Sequence, residues 1–358
     1  MTEKQLLKGN VALAQGAIDA GCRYYFGYPI TPQNDIPEYL SAALPAAGGV
    51  FVQAESEIAS INMILGAAAA GGMAMTSSSG PGISLMQEGL SYLAGSELPA
   101  MIVNITRSGP GLGGIAPTQG DYLQATKGGG HGDYRLIVLA PNSVQEMYDL
   151  TFEAFRLAFL YRNPAMILAD AILGQMKEPV QMKTSKPPAA EAPWALTGAK
   201  GRPPRLVKSL YLKDGDMTIH NWKLYEKYCL LKTKEVKVEI DCPPKCSLVV
   251  VAFGSCSRIV RTAVDRARKR GIPVGLVRPI TLYPFPENEI REAAAKAGRV
   301  LVLEMNTGQM VDDVRLACNG NSTVSFRGYP GGEIPTPEQI ENEIELALQR
   351  EGAKTCQL

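Results

Sequence analysis

Histidine is nearly missing from this chain: His131 and His220 are the only two in 358 residues. A catalytic triad built on imidazole is therefore not expected, and neither is a zinc site with several His ligands. Cysteine occurs seven times, at positions 22, 229, 242, 246, 256, 318 and 356. An odd number, widely scattered, is not a disulfide framework. Cys242-Pro243-Pro244-Lys245-Cys246 holds the one close pair, and the C-x-x-C repeats typical of iron–sulfur sites are absent. The thiols read as small packed groups in a reducing compartment. No charge of one sign dominates: 36 Lys and Arg stand against 35 Asp and Glu. That balance excludes a basic nucleic-acid surface and an acidic tail. Long apolar runs are lacking too. The most apolar stretch, Met63 to Met75, is too short and too rich in Gly and Ala to span a bilayer. No apolar leader core follows Met1-Thr2-Glu3-Lys4-Gln5. The expectation is a cytoplasmic protein.

What is present is a globular composition, 46% hydrophobic and 20% charged, long enough for two domains. The first part alternates strand and helix. Strands are expected at Tyr24–Tyr28, Gly49–Gln53, Ala74–Ser77, Pro99–Ile105, Leu136–Ala140 and Ala165–Ala169. Helices are expected at Gly9–Ala20, Ile36–Ala43, Ser56–Gly71 and Ile83–Leu93. The third of these is apolar on nearly every face and so should be buried. Ser143-Val144-Gln145-Glu146 is a capping box opening a long helix. This rhythm predicts a doubly wound parallel sheet. Ser108 to Asp133 breaks it with a long glycine-rich loop, the kind that is functional or disordered. Lys177 to Pro204, rich in Pro, Lys and Ala, reads as a linker. Asn221 to Lys234 reads as an amphipathic helix. From Ser247 the alternation resumes as a smaller α/β unit. Its expected strands are Leu248–Phe253, Pro273–Val277, Val300–Leu303 and Thr323–Phe326, and Arg258–Arg270 is a helix. The last helix is capped by Thr336, with Pro337 at its first position and Gln339 at its third.

Three turns at the carboxyl ends of strands carry the chemistry, because ligands bind there in open α/β sheets. They are Gly27-Tyr28-Pro29-Ile30-Thr31-Pro32, Glu55-Ser56-Glu57 and Thr76-Ser77-Ser78-Ser79-Gly80-Pro81-Gly82. Glu57 opens a hydrophobic helix, whose positive end favours a carboxylate. It fits either a ligand-facing acid or a plain first-turn carboxylate, whereas Glu55 still belongs to the strand end. The small residues of the third turn allow either close ligand approach or simply a tight turn. It is not a Walker loop, because no Gly-Lys-Ser/Thr follows. Leu85 stands where a dinucleotide fingerprint needs its third glycine. Thr31 can grip an acid group or cap a turn. Arg107, at a strand end, suits a carboxylate ligand bidentately or makes a surface ion pair. His131 lies in the flexible Gly128-Gly129-Gly130-His131-Gly132-Asp133.

Taken in order, these segments resemble the alpha subunit of the 2-oxoacid:ferredoxin oxidoreductases, which use thiamine diphosphate. The set includes Tyr28-Pro29-Ile30-Thr31-Pro32, Glu55-Ser56-Glu57, Thr76 to Gly82, Asn104-Ile105-Thr106-Arg107 and Gly130-His131-Gly132-Asp133. Arg278-Pro279, Pro284-Phe285-Pro286 and Glu304-Met305-Asn306-Thr307-Gly308-Gln309 extend it into the second unit. The resemblance covers nearly the whole chain apart from the linker. It implies a pyrimidine-binding domain over residues 1–178, a linker with an amphipathic helix over 179–245, and a transketolase C-terminal-like domain over 246–358. By the same resemblance Glu57 hydrogen-bonds the cofactor's aminopyrimidine and controls its tautomer, with Tyr28 and Pro29 beside it. Thr31 and Arg107 become the residues that hold the 2-oxoacid carboxylate, and His131, from its place on the loop, is a further candidate substrate contact.

Thiamine enzymes hold the diphosphate and Mg2+ with Gly-Asp-Gly and a downstream Asn. Gly120-Asp121-Tyr122, Gly132-Asp133-Tyr134 and Gly215-Asp216-Met217 do not fit that pattern. The expectation is an incomplete subunit, colourless and inactive alone. A beta subunit would bring the diphosphate and Mg2+ site. A gamma subunit and a ferredoxin-like delta subunit would complete the complex. [4Fe–4S] clusters would sit on partner chains, coenzyme A would serve as co-substrate and ferredoxin as acceptor. The likeness is greatest to the branched-chain type, acting on 3-methyl-2-oxobutanoate, through Lys127 to Tyr134 and Ser209 to Tyr228. A 2-oxoglutarate enzyme is the alternative. It would need a second cation, from Lys127, His131 or a partner chain. An alternative of another class is a non-catalytic docking scaffold.

Overall fold

A computed structural model of the chain describes residues 4–183 and 192–349. Its first part runs β1 (Gln5–Lys8), α1 (Gly9–Ala20), β2 (Tyr24–Gly27), α2 (Asp35–Ala46), β3 (Val50–Gln53), α3 (Glu57–Ala69), β4 (Ala74–Ser78), α4 (Pro81–Leu85), α5 (Gln87–Gly95), β5 (Ala100–Thr106), α6 (Tyr122–Lys127), β6 (Ile137–Leu139), α7 (Val144–Tyr161), β7 (Pro164–Asp170), α8 (Ala171–Gln175) and β8 (Lys177–Val180). After residue 191 follow α9 (Asp216–Lys234), β9 (Val238–Asp241), β10 (Leu248–Val251), α10 (Gly254–Lys269), β11 (Val274–Pro279), β12 (Thr281–Tyr283), α11 (Glu287–Ala297), β13 (Arg299–Glu304), α12 (Met310–Cys318), β14 (Thr323–Gly328) and α13 (Pro337–Gln349).

The larger sheet has the order β12-β6-β7-β5-β4-β2-β3. Its strands are parallel except β12, which pairs antiparallel with β6. Its central strands β4, β5 and β7 are buried along their whole length, as expected of parallel strands covered on both faces. Helices α1, α2, α7 and α8 pack together as one group, and α3, α4 and α5 as another. The chain steps from β2 outward to β3, then returns on the other side of β2 to form β4. This reversal opens a crevice at the carboxyl ends of β2 and β4, the usual ligand position in such sheets.

The smaller sheet has the order β14-β13-β10-β11-β9, parallel except for β9. Polar contacts join the two units. Arg278, 3% exposed, donates from Nη1 and Nη2 to the Glu146 carboxylate at 2.9 and 2.8 Å, and from Nε to Glu239 at 2.8 Å. Asp170 caps α8 through Ile172 and Leu173 and accepts a hydrogen bond from the Ser255 hydroxyl at the start of α10.

Both expected caps form, but the reciprocal box closes only at Thr336, since the Glu146 carboxylate takes the Asn142 amide instead of that of Ser143. Ser143 Oγ accepts from the Glu146 amide at 3.1 Å, and the Thr336 and Gln339 side chains accept from each other's amides. Helix α9 begins earlier than expected and buries His220, Leu224, Tyr228 and Leu231, one face at helical spacing.

Four expectations need correction. Helix α3 is not buried all round: Ile58 is 49% exposed and Met63 is also open. Its inner side packs Ile61, Ile64 and Ala68, and among the described residues the outer side is left partly open. The Ile83–Leu93 helix is instead two, α4 and α5, turning at Met86, which is how both segments stay against α3. The linker does not begin at Lys177, because β8 pairs antiparallel with β1. Downstream, Trp194 is buried, donates to the Ala68 carbonyl at 3.0 Å and packs on Phe159. The linker's residues 184–191 lie outside the described residues, as does Cys356. The other six cysteines are free. Lastly, β12 leaves the second unit to edge the first sheet. No described helix is long and apolar enough to cross a membrane.

Replacing Arg278 with Met should strand Glu146 without its cation, while Glu239 keeps Arg261. Because the Glu146 carboxylate left behind is a quarter exposed, the cost should be that of lost charge-assisted hydrogen bonds, about 1–3 kcal/mol, which urea unfolding should read as a lowered midpoint.

Candidate active site at the first sheet's switch point

The crevice is walled by the turns that follow β2 and β4. The first turn is held from below. Gln33, fully buried, accepts from Ser77 Oγ at 2.6 Å and donates to the Tyr28 carbonyl at 3.3 Å. Tyr25 and Ser77 share a further hydrogen bond at 2.8 Å. Asn10 and Gln175 both donate to the Pro32 carbonyl. Asp35 accepts from Lys8, Asn10 and Gln175. Burial alone would raise its pKa, but these donors outweigh it and hold the carboxyl below its ordinary value. Thr31 therefore stands, exposed, on a braced loop. Tyr28 and Pro29 are exposed beside it.

Glu57 is the first residue of α3 and is 5% exposed. Ser56 caps the helix, its Oγ accepting from the Ala59 amide. Ser78 Oγ, at the end of β4, reaches Glu57 Oε1 at 3.4 Å. Gly82 lies directly against both groups, and a methyl group there would overlap the Glu57 carboxyl and the Ser78 hydroxyl. Gly80 has φ +40, which favours glycine, and faces the stem of Arg107. Arg107 donates to the Thr31 carbonyl at 3.1 Å and the Leu112 carbonyl at 3.3 Å. Its Nε is buried without a partner. The structure thus brings Thr31, Arg107 and Gly80 together at one end of the turn, and Glu57, Ser78 and Gly82 at the other. Nearby Thr76 Oγ1, Ser79 Oγ and Asn104 Oδ1 are buried and unpartnered as well.

A cleft of about 610 Å³ continues from Arg107. Ser84, Asp121 and Gln124 line it from the first unit, and Asn306 and Gln309 from the second. Asp121 was legible only as a failed diphosphate motif. Here it accepts from Asn104 Nδ2 at 2.9 Å. Burial pushes its carboxyl pKa up, and the Asn104 bond offsets this only in part. His131 is not brought to the site. Its exposed loop is tied by Gly129 to Gln87 and by Gly130 to Tyr134. A larger groove of about 800 Å³ is lined by Tyr134, Trp222, Tyr225 and Tyr283, and neither Thr31, Glu57 nor Arg107 borders it. Among the described residues no group of three or more His, Cys, Asp or Glu could hold a metal ion.

The pyruvate flavodoxin/ferredoxin oxidoreductase family, in its thiamine diphosphate-binding part, matches residues 15–211. The pyruvate:ferredoxin oxidoreductase core domain II matches residues 246–340. The ketoisovalerate oxidoreductase subunit VorB of Methanothermobacter thermautotrophicus is 51% identical over 344 residues, 96% of this chain and 98% of that protein. The 2-oxoglutarate synthase subunit KorA of Archaeoglobus fulgidus is 40% identical over 97% of this chain and all of its own. A solved 2-oxoglutarate:ferredoxin oxidoreductase from Magnetococcus marinus superposes with a TM-score of 0.84 at 27% identity, covering 97% of this chain and 66% of that one. A split-gene transketolase, at 12% identity and a TM-score of 0.60, shares the fold alone.

Because the folded pKa of Asp121 lies above its unfolded value of about 3.9, its contribution is full below that value and is lost as pH rises through the folded pKa. Asp121→Asn should therefore raise the melting temperature at pH 7 and leave it unchanged below pH 4. A thermal scan at the two pH values checks this.

Proposed function

Because the chain belongs to the 2-oxoacid:ferredoxin oxidoreductases, we propose that it is the subunit gripping the aminopyrimidine half of thiamine diphosphate and the carboxylate of a branched-chain 2-oxoacid. The complete enzyme converts the oxoacid and coenzyme A to acyl-coenzyme A and CO2, passing two electrons to ferredoxin and releasing a proton. One observation carries the reading: a buried acid and a guanidinium with an unpaired donor meet the two ends of one glycine turn at the sheet's switch point.

The residues present fit the pyrimidine half of the cofactor. Glu57 is buried at a helix start beside a turn stripped of side chains, and unpartnered hydroxyls of Thr76 and Ser79 lie close by. When bound, the cofactor supplies the electron sink that lets a 2-oxoacid lose CO2. Glu57 accepts the ring N–H and fixes the tautomer, and Ser78 orients Glu57. Tyr28 and Pro29 border the ring's entry. Arg107 holds the oxoacid carboxylate with the donor it now lacks a partner for, and Thr31 assists. The division into a pyrimidine-binding domain over residues 1–178, a linker over 179–245 and a structural, interface domain over 246–358 is kept with two adjustments: β8 carries the first unit to Val180, and β9 belongs to the sheet of the last. The exposed apolar side of α3 faces a partner chain. The diphosphate, Mg2+ and iron–sulfur clusters reside on beta and delta subunits, with a gamma subunit completing a cytoplasmic complex.

The branched-chain reading is favoured over 2-oxoglutarate by the fate of the spare cations. Lys127 is engaged by Asp313, and His131 lies on its own exposed loop, so neither lines the cleft beside Arg107. In the assembled complex, kcat/KM should favour 3-methyl-2-oxobutanoate over 2-oxoglutarate, and the reverse order would refute that choice. Glu57→Gln should lower kcat about 100-fold or more with assembly intact, whereas an unchanged rate would turn the chain into a docking scaffold. Arg107→Lys should raise the oxoacid KM by roughly tenfold, since an ammonium cannot reproduce the bidentate fork.

A further inference from the structure

The smaller sheet also has a switch point. Its chain steps from β10 to β11 on one side and returns to β13 on the other, leaving a crevice at the carboxyl ends of β10 and β13. In this protein the crevice is filled by the chain itself. Gln119, 3% exposed, inserts its side chain there. Its Nε2 donates to the Phe253 carbonyl at 2.8 Å, and its Oε1 accepts from the Met305 amide at 3.0 Å. Its backbone amide donates to the Met305 carbonyl at 2.8 Å, and its carbonyl accepts from Asn306 Nδ2 at 2.9 Å. Gly254 makes the room: a Cβ there would stand 3.0 Å from Gln119 Nε2.

The receiving loop is itself fixed. Glu304, fully buried at the end of β13, accepts from Asn306 Nδ2 and from the amides of Met310 and Val311 at 2.8 to 2.9 Å. On the other side the anchor runs back toward the first sheet. Thr118 Oγ1 donates to the Met305 carbonyl at 2.9 Å, and the Thr118 carbonyl accepts from Thr106 Oγ1. Thr106 immediately precedes Arg107. The Ser108 amide closes the same loop on the Ala116 carbonyl at 2.9 Å. Both ends of the loop that carries Arg107 are thus pinned, and one pin is driven into the second unit.

We infer that Gln119 is a positioning residue for Arg107, seating the Arg107 loop on the smaller sheet so that the guanidinium meets the oxoacid carboxylate. This rests on the reading of Arg107 given above. It assigns the second unit a share in oxoacid affinity through a defined contact.

The test uses the assembled complex with Gln119→Ala and Gln119→Glu, each alone and combined with Arg107→Lys. The Glu variant keeps the volume but turns an oxygen toward the Phe253 carbonyl, so it carries the test if the Ala variant fails to assemble. Each Gln119 variant should raise the oxoacid KM about tenfold, while complex size and thiamine diphosphate affinity, read by fluorescence titration, stay unchanged. In the double variants the two KM effects should fall short of multiplying, because both act through one guanidinium. Multiplying effects, an unmoved KM, or an equal loss of cofactor affinity would each overturn the inference while leaving the Arg107 reading standing. An Arg107→Lys enzyme with normal KM would instead bring down the reading of Arg107, and this inference with it.

Discussion

The site depends on a steric constraint at the turn from β4 into α4, where the backbone has no side chain to spare. Gly80 adopts a positive φ that favours glycine, and Gly82 lies flat under the Glu57 carboxyl and Ser78. A side chain at Gly82 would overlap the Glu57 carboxyl and the Ser78 hydroxyl, and one at Gly80 would strain the backbone. Because the turn is bare, an acid from α3 and a guanidinium from the end of β5 reach its two ends. The opposite wall, the loop after β2, is correspondingly stiff. It is braced by Gln33 from one side and by Asn10 and Gln175 from another. A soft wall facing a bare turn would let the crevice collapse onto itself, leaving nothing for a ligand to fill.

How much of this was legible in the residues follows from range. The caps at Ser143 and Thr336 are local, since a four-residue span determines each, and both form. The buried central strands announced themselves by apolar runs. So did the three turns of the site, because glycine, proline and small hydroxyls punctuate a chain wherever they occur. The pairing of β1 with β8 did not, since each is four residues long and its partner lies some 170 residues away. Strand β12 is three residues in a proline-rich passage, with nothing to say that it belongs to the other sheet. Helix α3 is instructive in a different way. An all-apolar surface says that a helix is to be covered, and does not say by which chain. Gln119 was invisible because a glutamine in a glycine-rich loop has no pattern at all. Only the crevice that receives it gives it meaning.

The junction between the two units adds directional polar contacts to an apolar core that runs through both, with Tyr122 packed on Phe253. Arg278 with Glu146, Asp170 with Ser255, and Gln119 with Phe253 and Met305 are directional contacts. An apolar seam tolerates sliding, because hydrophobic burial is nearly indifferent to small shifts. A buried amide or carboxylate does not, since a shift of an ångström or two orphans it at a cost of about 1–3 kcal/mol. Such a joint fixes one relative orientation of the sheets. The cleft beside Arg107 needs that orientation, because its walls come from both units.

The distribution of satisfied and unsatisfied polar atoms sharpens the point. At the junction Glu304, Asn306 and Gln119 have their donors and acceptors matched. At the ends of β4 and β5, Thr76, Ser79, Asn104 and Arg107 each keep a buried polar atom with no partner. The same chain that completes its hydrogen bonds in the joint leaves them open a few residues away. Buried polar groups are expensive to leave unpaired, so the open set stands ready to take partners from an incoming molecule. A rigid joint therefore serves an unsatisfied site: the first holds the walls still, so that the second keeps its unpaired groups aimed at whatever enters.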